Sequence, residues 1–125
     1  MANPREKPVY WMAGAKKDLS AFPAEVMQNV GYGLGFVQLG HTPDNAKMLH
    51  GFGSGVWELV EDDDGNAYRA VYCVRFEKAV YVLHCFQKKS KKGSATPKPD
   101  LDVIRQRLSA AQADYHRRYT EEELK

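Results

Sequence analysis

The stretch that decides the fold is Val56–Phe86, VWELVEDDDGNAYRAVYCVRFEKAVYVLHCF. Three runs within it are rich in valine and aromatic residues and are typical of β-strands: Val56–Glu61, Tyr68–Phe76 and Ala79–Phe86. Asp64-Gly65-Asn66 between the first two runs is a hairpin-turn signal, and a tight turn near Glu77-Lys78 joins the last two. Because connections this short exclude crossovers, the sequence predicts a three-stranded antiparallel meander.

Before the meander, the sequence predicts one strand and two helices. Val9–Met12 is a short β-prone run. Lys16–Ala21 is typical of a short helical turn, which ends near Phe22 because the next residue is Pro23. A second helix is expected from Pro23 to Leu39, since its apolar residues recur at steps of four, four and three: Val26, Val30, Leu34 and Val37.

Three glycines within this second helix disfavour its formation. Gly31, Gly33 and Gly35 each cost roughly 1 kcal/mol relative to alanine in a helix. The apolar periodicity nevertheless favours the helix, and we expect close packing against the sheet to account for small residues on one side of it.

The remaining segments complete an α+β fold. His41–Gly55 is predicted to be a loop, and Asp100 is expected to cap a last helix whose apolar face contains Ile104, Leu108, Ala111 and Tyr115. Residues 117–125 are expected to fray as a tail. The order β-α-α-β-β-β-α predicts a single domain over residues 1–125, an antiparallel sheet with an N-terminal helical hairpin and a C-terminal helix.

Charge is distributed unevenly along the chain. The formal net charge is only +2, yet Gln87–Pro99 contains five lysines and no acidic residue. Acidic residues gather elsewhere, at 61–64 and 121–123. A local basic tract suits a phosphate backbone or an acidic partner. With two cysteines, a polar N-terminus and no long apolar run, we expect a cytoplasmic protein without a membrane span.

Motifs for nucleotides, metals and disulfides are not supported. Two glycine patterns, at 31–35 and 51–55, lack the strand–helix context or the lysine of a phosphate loop. Aligning Asp64-Gly65 to a calcium loop places valines where carboxylates are needed. Cys73 and Cys85 are predicted out of register for a disulfide, with Cys73 facing Val82 and Cys85 facing Ala70. No histidine–cysteine spacing predicts a metal site.

The strongest constellation is Arg69, Tyr72 and His84 on the last two strands, followed by the lysine tract. An arginine on an open sheet face can hold a phosphate through two hydrogen bonds. Cleavage of RNA by its own 2′-hydroxyl requires fixed cations for the phosphoryl charge, together with a base and an acid. Here His84, Tyr72 and a lysine of lowered pKa are the candidates for proton transfer.

Structural explanations for the same residues stay open. Arg69 is equally explained by a cross-strand ion pair with Glu58 or Glu61. His84 is compatible with a hydrogen-bonded structural histidine, and Tyr72 with a core residue. The lysine tract by itself is also typical of a solvated loop.

The sequence resembles the RelE/ParE toxins, and within them the phage-derived, HigB-like branch. The similarity covers roughly residues 9–117 and rests on three segments: Gly53-Ser-Gly-Val-Trp-Glu-Leu, Tyr68-Arg-Ala-Val-Tyr72, and Val80-Tyr-Val-Leu-His-Cys-Phe-Gln-Lys-Lys-Ser-Lys-Lys92. The resemblance implies a type II toxin that inhibits growth as a metal-free mRNA endoribonuclease in the ribosomal decoding site. It also implies a helix-turn-helix antitoxin that blocks the toxin and carries the complex to operator DNA.

The resemblance also implies residue roles. Arg69 matches the arginine that contacts the scissile phosphate, and either Lys88 or Lys89 matches a basic position after the last strand. Lys47 lies where relatives carry a basic residue. His84 has no family counterpart and rests on its chemistry. Tyr115 and His116 are possible equivalents of a C-terminal acid, histidine or tyrosine in relatives.

The first hypothesis is therefore an RNA-cleaving toxin with no cofactor. Arg69 and Lys89 bind the phosphate, and His84 or Tyr72 transfers protons. Lys47 and three lysines of the tract contact RNA: Lys88, Lys91 and Lys92. Two alternatives stay open: a ParE-like inhibitor of DNA gyrase that acts by protein contact, and a nucleic-acid-binding module without turnover.

Overall fold

A computed structural model of the protein describes residues 6–88 and 95–124, with side chains as far as Tyr119. The chain forms a mixed α+β fold. Its strands are β1 Val9–Trp11, β2 Ala46–Met48, β3 Val56–Asp63, β4 Asn66–Cys73 and β5 Val80–Lys88. Its helices are α1 Ala15–Ser20, α2 Ala24–Gln38 and α3 Lys98–Leu124. The three predicted meander strands and the three predicted helices are therefore confirmed, with small shifts at their ends.

The five strands form one sheet in the order β1-β5-β4-β3-β2. The meander β3-β4-β5 is antiparallel as predicted, but β1 pairs with β5 in parallel, from Val9–Val80 to Trp11–Val82. The prediction of a wholly antiparallel sheet is wrong at this edge, because no hairpin fixes the direction of β1. The predicted loop 41–55 also contains the short edge strand β2, which pairs with β3.

Each face of the sheet has its own hydrophobic core. Helices α1 and α2 cover one face, where Val26, Val30 and Leu59 belong to the same buried cluster. Helix α3 covers the other face, where Ile104 and Val71 are fully buried. The two faces are called the α2 face and the α3 face below.

A β-bulge changes the residues that face each helix. Val71 pairs with His84 whereas Tyr72 pairs with Val82, so Leu83 is an extra residue in β5. The bulge moves Cys73 from the predicted partner Val82 to Tyr81. Cys85 faces Ala70 as predicted, and the two free cysteines are buried in different cores. A disulfide between them is excluded, as the sequence indicates.

Among the three helical glycines of α2, only Gly33 packs closely. A β-carbon at Gly33 would lie 3.1 Å from Leu59, whereas one at Gly31 or Gly35 would meet no described atom within 4 Å. Packing against the sheet therefore explains the glycine on the side that faces Leu59.

The second glycine pattern, at 51–55, forms a loop that is held by an arginine. Gly55 has a φ of +77°, and a β-carbon there would lie 2.8 Å from the backbone nitrogen of Arg75. The Arg75 guanidinium donates to the carbonyls of Ser54 and Phe52. These contacts place Phe52 beneath the guanidinium of Arg105 on α3, 4.7 Å from the ring centre. Packing thus explains this pattern.

Helix α3 begins at Lys98 and extends to Leu124, so Asp100 lies in its first turn rather than at its cap. Ile104, Leu108 and Ala111 are buried as predicted. The helix includes residues 117–124, for which the sequence predicts a frayed tail, and the hydroxyl of Tyr119 lies 2.9 Å from that of Tyr10. Within residues 6–88 and 95–124, no helix has the length and apolar character to cross a membrane.

Candidate phosphate-binding site

Four charged side chains lie in a row across the α3 face, one from each of four adjacent strands. Lys47 on β2 pairs with Glu58 on β3, and Arg69 on β4 is diagonal to Glu58 because it pairs with Val60. On β5, Lys88 lies two residues beyond Phe86, the partner of Arg69. We call Lys47, Glu58, Arg69 and Lys88 the charged row. Three cations and one carboxylate leave it with an excess of positive charge.

Arg69 and Glu58 form an incomplete buried pair. Arg69 Nε lies 3.7 Å from Glu58 Oε1, and their side chains are only 11% and 12% exposed. Arg69 Nε and Nη1 and Glu58 Oε2 are buried and have no hydrogen-bond partner among the described residues. Buried charged groups without partners are costly, so these atoms indicate a site that a polar ligand completes. Of the open alternatives for Arg69, the ion pair forms with Glu58 and not with Glu61.

Lys88 is the most deeply buried lysine of the row, at 4% exposure. Burial lowers the pKa of its amine, and the positive charges of Arg69 and Lys47 lower this pKa further, while Glu58 opposes them. Lys88 is therefore a lysine of lowered pKa, as expected for a candidate in proton transfer.

His84 lies on the same face but connects β5 to α3. Its Nε2 is 2.8 Å from Asp100 Oδ1, and its Nδ1 is 3.4 Å from Arg107 Nη1. Since a guanidinium only donates, Nδ1 accepts and Nε2–H donates to Asp100. Arg107 also donates to the Leu83 carbonyl, and His84 stacks on Phe86 with ring centres 4.8 Å apart. Both ring nitrogens are therefore engaged by α3.

Tyr72 is on the opposite face from the charged row. Its side chain belongs to the core beneath α2, whereas Val71 beside it belongs to the core beneath α3. Burial raises the pKa of its phenol to about 12. The prediction that Tyr72 joins Arg69 is wrong, because residues three apart in a strand face opposite sides.

Several predicted residues are not brought to the charged row. Lys89, Lys91 and Lys92 lie outside the described residues, so their roles stay predictions. Tyr115 stacks on Phe76, and its hydroxyl accepts from the Lys78 backbone at the far end of β5 from Lys88. His116, one residue further along the same helix, is exposed.

Three residues of this region were missed as functional candidates. The sequence predicts Glu58 only as an ion-pair partner for Arg69, and Asp100 only as a helix cap. Arg107 carried one signal in the sequence: it lies seven residues after Asp100, which places both on one face of a helix. No group of three histidine, cysteine or carboxylate side chains that could hold a metal occurs in the described ranges.

The fold and this site define an α+β protein with a buried arginine–carboxylate–lysine cluster on one face of its sheet. Residues 17–109 match the family model described as phage derived protein Gp49-like (DUF891). The chain therefore belongs to the phage-derived Gp49-like family.

Comparison with solved structures adds a likeness in fold to a toxin–antitoxin complex. The toxin–antitoxin complex RelBE2 from Mycobacterium tuberculosis contains a chain with 21% sequence identity and a TM-score of 0.45, over 72% of this chain and 100% of that one. No curated protein matches the sequence significantly.

Proposed function

We propose that this protein is the toxin of a type II toxin–antitoxin pair and that it cleaves messenger RNA without a metal ion. The observation that carries the proposal is the buried Arg69 guanidinium beside Glu58 and Lys88, whose Nε and Nη1 have no hydrogen-bond acceptor in the described part of the chain. A phosphate oxygen is the acceptor that this planar donor fits. Membership of the Gp49-like family and the sequence resemblance to the HigB-like toxins support the same reading.

The charged row contains the groups that RNA cleavage requires. The 2′-hydroxyl attacks the adjacent phosphorus, a 2′-oxygen–phosphorus bond forms, and the bond to the 5′-oxygen breaks. Arg69 stabilises the charge that grows on the phosphoryl oxygens. Glu58 accepts the hydroxyl proton through Oε2, the carboxylate oxygen without a partner among the described residues. The products are a 2′,3′-cyclic phosphate and a 5′-hydroxyl.

Lys88 is the proposed acid. Its ammonium donates a proton to the departing 5′-oxygen, and burial beside two cations makes this proton easier to lose. The pair Glu58 and Lys88 replaces His84 and Tyr72 as the proton-transfer groups. His84 instead holds α3 against β5, because Asp100 and Arg107 engage both of its ring nitrogens.

Further contacts extend from the charged row along the substrate. Lys47 at the sheet edge and Lys89, Lys91 and Lys92 after β5 are proposed to bind flanking phosphates of ribosome-bound message. Each phosphate that is neutralised steepens the loss of affinity with added salt. We propose that the protein acts in the cytoplasm, where a cognate antitoxin neutralises it and carries it to operator DNA.

The test is induced expression in bacteria with primer extension on a reporter message. Wild type is expected to arrest growth and to create new 5′ ends. Arg69→Ala is expected to lower cleavage by about 10²–10³-fold, the effect of removing one donor to a developing anion. Arg117→Ala is the matched control, because Arg117 is an exposed arginine of α3 with a 72% exposed side chain.

Each other outcome points to a different function. Arrest with intact message would overturn the nuclease and favour a protein target such as DNA gyrase. RNA binding without arrest or cleavage would leave a nucleic-acid-binding module. Circular dichroism and thermal melting of each purified variant separate loss of the site from loss of the fold.

A further inference from the structure

Helix α2 exposes large apolar side chains on the side that faces away from the sheet. Tyr32 is 63% exposed and Phe36 is 54% exposed, and Leu39 and Met27 on the same helix are exposed as well. Tyr32 and Phe36 are four residues apart and therefore adjacent along one helix face. Grouped exposed aromatic side chains are typical of protein-binding surfaces.

Two shallow cavities meet at Phe36. One has a volume of about 250 Å³ and lies between α2 and the start of β2, with Tyr32, Pro43 and Glu61 in its lining. The other, of about 210 Å³, lies between Phe36 and residues 41–44. We call the surface formed by Tyr32, Phe36, Pro43, Asp44 and Glu61 the α2 groove.

One glycine of α2 gives independent evidence for a partner. A β-carbon at Gly35 would meet no described atom within 4 Å, so packing within the chain does not require a glycine there. Glycine nevertheless lowers helix stability relative to alanine. Gly35 lies three residues after Tyr32, on the same side of the helix, and its bare backbone lets a partner chain that packs on Tyr32 approach α2 closely.

Charge selects the kind of partner. The carboxylates of Asp44 and Glu61 line the groove, and no lysine or arginine is among the described residues that line either cavity. Asn29 and Asn45 donate hydrogen bonds to Glu61 and hold this carboxylate in place. The negative charge of these two carboxylates disfavours nucleic acid as the partner. A second copy of this chain is also disfavoured, because a two-fold contact would bring the same carboxylates together.

We propose that the α2 groove binds a segment of a partner protein whose apolar side chains pack on Tyr32 and Phe36 and whose lysines or arginines pair with Asp44 and Glu61. Resting on the proposed function, this partner is the cognate antitoxin. The groove and the charged row are on opposite faces of the sheet, so a segment bound in the groove leaves Arg69 uncovered. The groove thus anchors the antitoxin, and a different segment of the antitoxin blocks cleavage.

The experiment measures affinity between purified proteins by titration calorimetry. The probe is the protein encoded beside the gene for this chain. Tyr32→Ser combined with Phe36→Ser is expected to weaken binding at least about 100-fold, because buried aromatic anchors contribute most of the affinity of a protein interface. Met27→Ser is the matched control, since Met27 is exposed on α2 but does not line the groove. Its affinity is expected to equal that of wild type.

A second variant separates binding from folding. Gly35→Leu places a side chain in open space and improves helix propensity, so its melting temperature is expected to match or exceed that of wild type. Its affinity is nevertheless expected to fall more than about 10-fold, because the leucine side chain would stand next to Tyr32 on the same side of the helix, where the partner packs. Unchanged affinity in both groove variants, or no binding of the wild type, would overturn the proposal.

Toxicity gives a readout that distinguishes this proposal from the proposed function. Without antitoxin, both groove variants are expected to arrest growth as wild type does, and the antitoxin is expected to rescue wild type alone. If wild type neither arrests growth nor cleaves message, the proposed function fails, yet the affinity series still decides whether the groove binds. Equal rescue of all variants would overturn the groove as the anchor.

Discussion

The two faces of the sheet differ in where they place polar and apolar groups. The α3 face buries charge, since Glu58, Arg69 and Lys88 are largely hidden beside an apolar core. The α2 face has an apolar interior and instead exposes aromatic side chains on the outer side of its helix. Neither feature stabilises an isolated fold. The difference is the basis for the two proposals, that RNA cleavage takes place on one face and that the antitoxin attaches to the other.

The largest expected effect comes from two glutamates of β3 that face opposite sides. Glu58→Gln removes the carboxylate that pairs with the buried Arg69 guanidinium, which is expected to cost about 3 kcal/mol of unfolding free energy. Glu61→Gln is the matched control on the α2 face, where two asparagine amides bind the carboxylate, and it is expected to cost under about 1 kcal/mol. Urea denaturation of both variants measures the difference.

A double variant sharpens the same comparison. Replacing Arg69 and Glu58 together by methionine removes both charges and the buried atoms that lack partners. Stability equal to or above that of wild type is expected, because apolar replacement of a buried ion pair is often neutral or stabilising. Such a variant without cleavage would show that the pair is retained for function. A double variant as unstable as Glu58→Gln would instead assign the pair to the fold.

His84 tests whether its role is positioning or proton transfer. His84→Ala removes contacts to Asp100 and Arg107 and the stacking on Phe86, so a loss of about 1–3 kcal/mol is expected. The pH profile of cleavage, measured on the folded fraction, is expected to keep its shape and midpoints. Disappearance of one limb of that profile with an intact fold would make His84 a catalytic residue.

The meander could be predicted from the sequence because its signals are local. Valine-rich runs and two tight turns specify β3, β4 and β5, and steps of three and four specify α2. The direction of β1 depends on its pairing with β5, which no local pattern encodes. Strand β2 has only three residues and depends equally on its neighbour.

The site was predictable only in part, for the same reason. Successive side chains of a strand point to opposite faces, so the spacing of Arg69 and Tyr72 is enough to exclude Tyr72 from the site around Arg69. His84 shows the opposite case. Alternation groups it with Val80 and Val82, which face α2, but the extra residue Leu83 turns His84 towards α3. No turn or propensity signal predicts that bulge, so the contacts of His84 with Asp100 and Arg107 could not be foreseen.

The smallest expected effect is a pH dependence of the unfolding free energy, which arises from Lys88 on the α3 face. Because the folded pKa of Lys88 is below its usual value of 10.5, the unfolded chain binds this proton more tightly than the native one. The resulting penalty on stability is full below the lowered pKa and disappears as the pH rises towards 10.5. Lys88→Met is expected to remove this increase in stability with pH. Subtracting the unfolding free energy of the variant from that of wild type cancels the contributions of other titrating groups, such as Tyr72.

Measuring unfolding free energies of both proteins from pH 7 to 10.5 tests this expectation. Lys98→Met is the control, because its side chain is 82% exposed and its ammonium pairs with Asp102 on the same helix. Its difference from wild type should not vary with pH. A flat difference for Lys88→Met as well would mean that Lys88 is fully solvated in solution, and it would lose its place as the acid in cleavage.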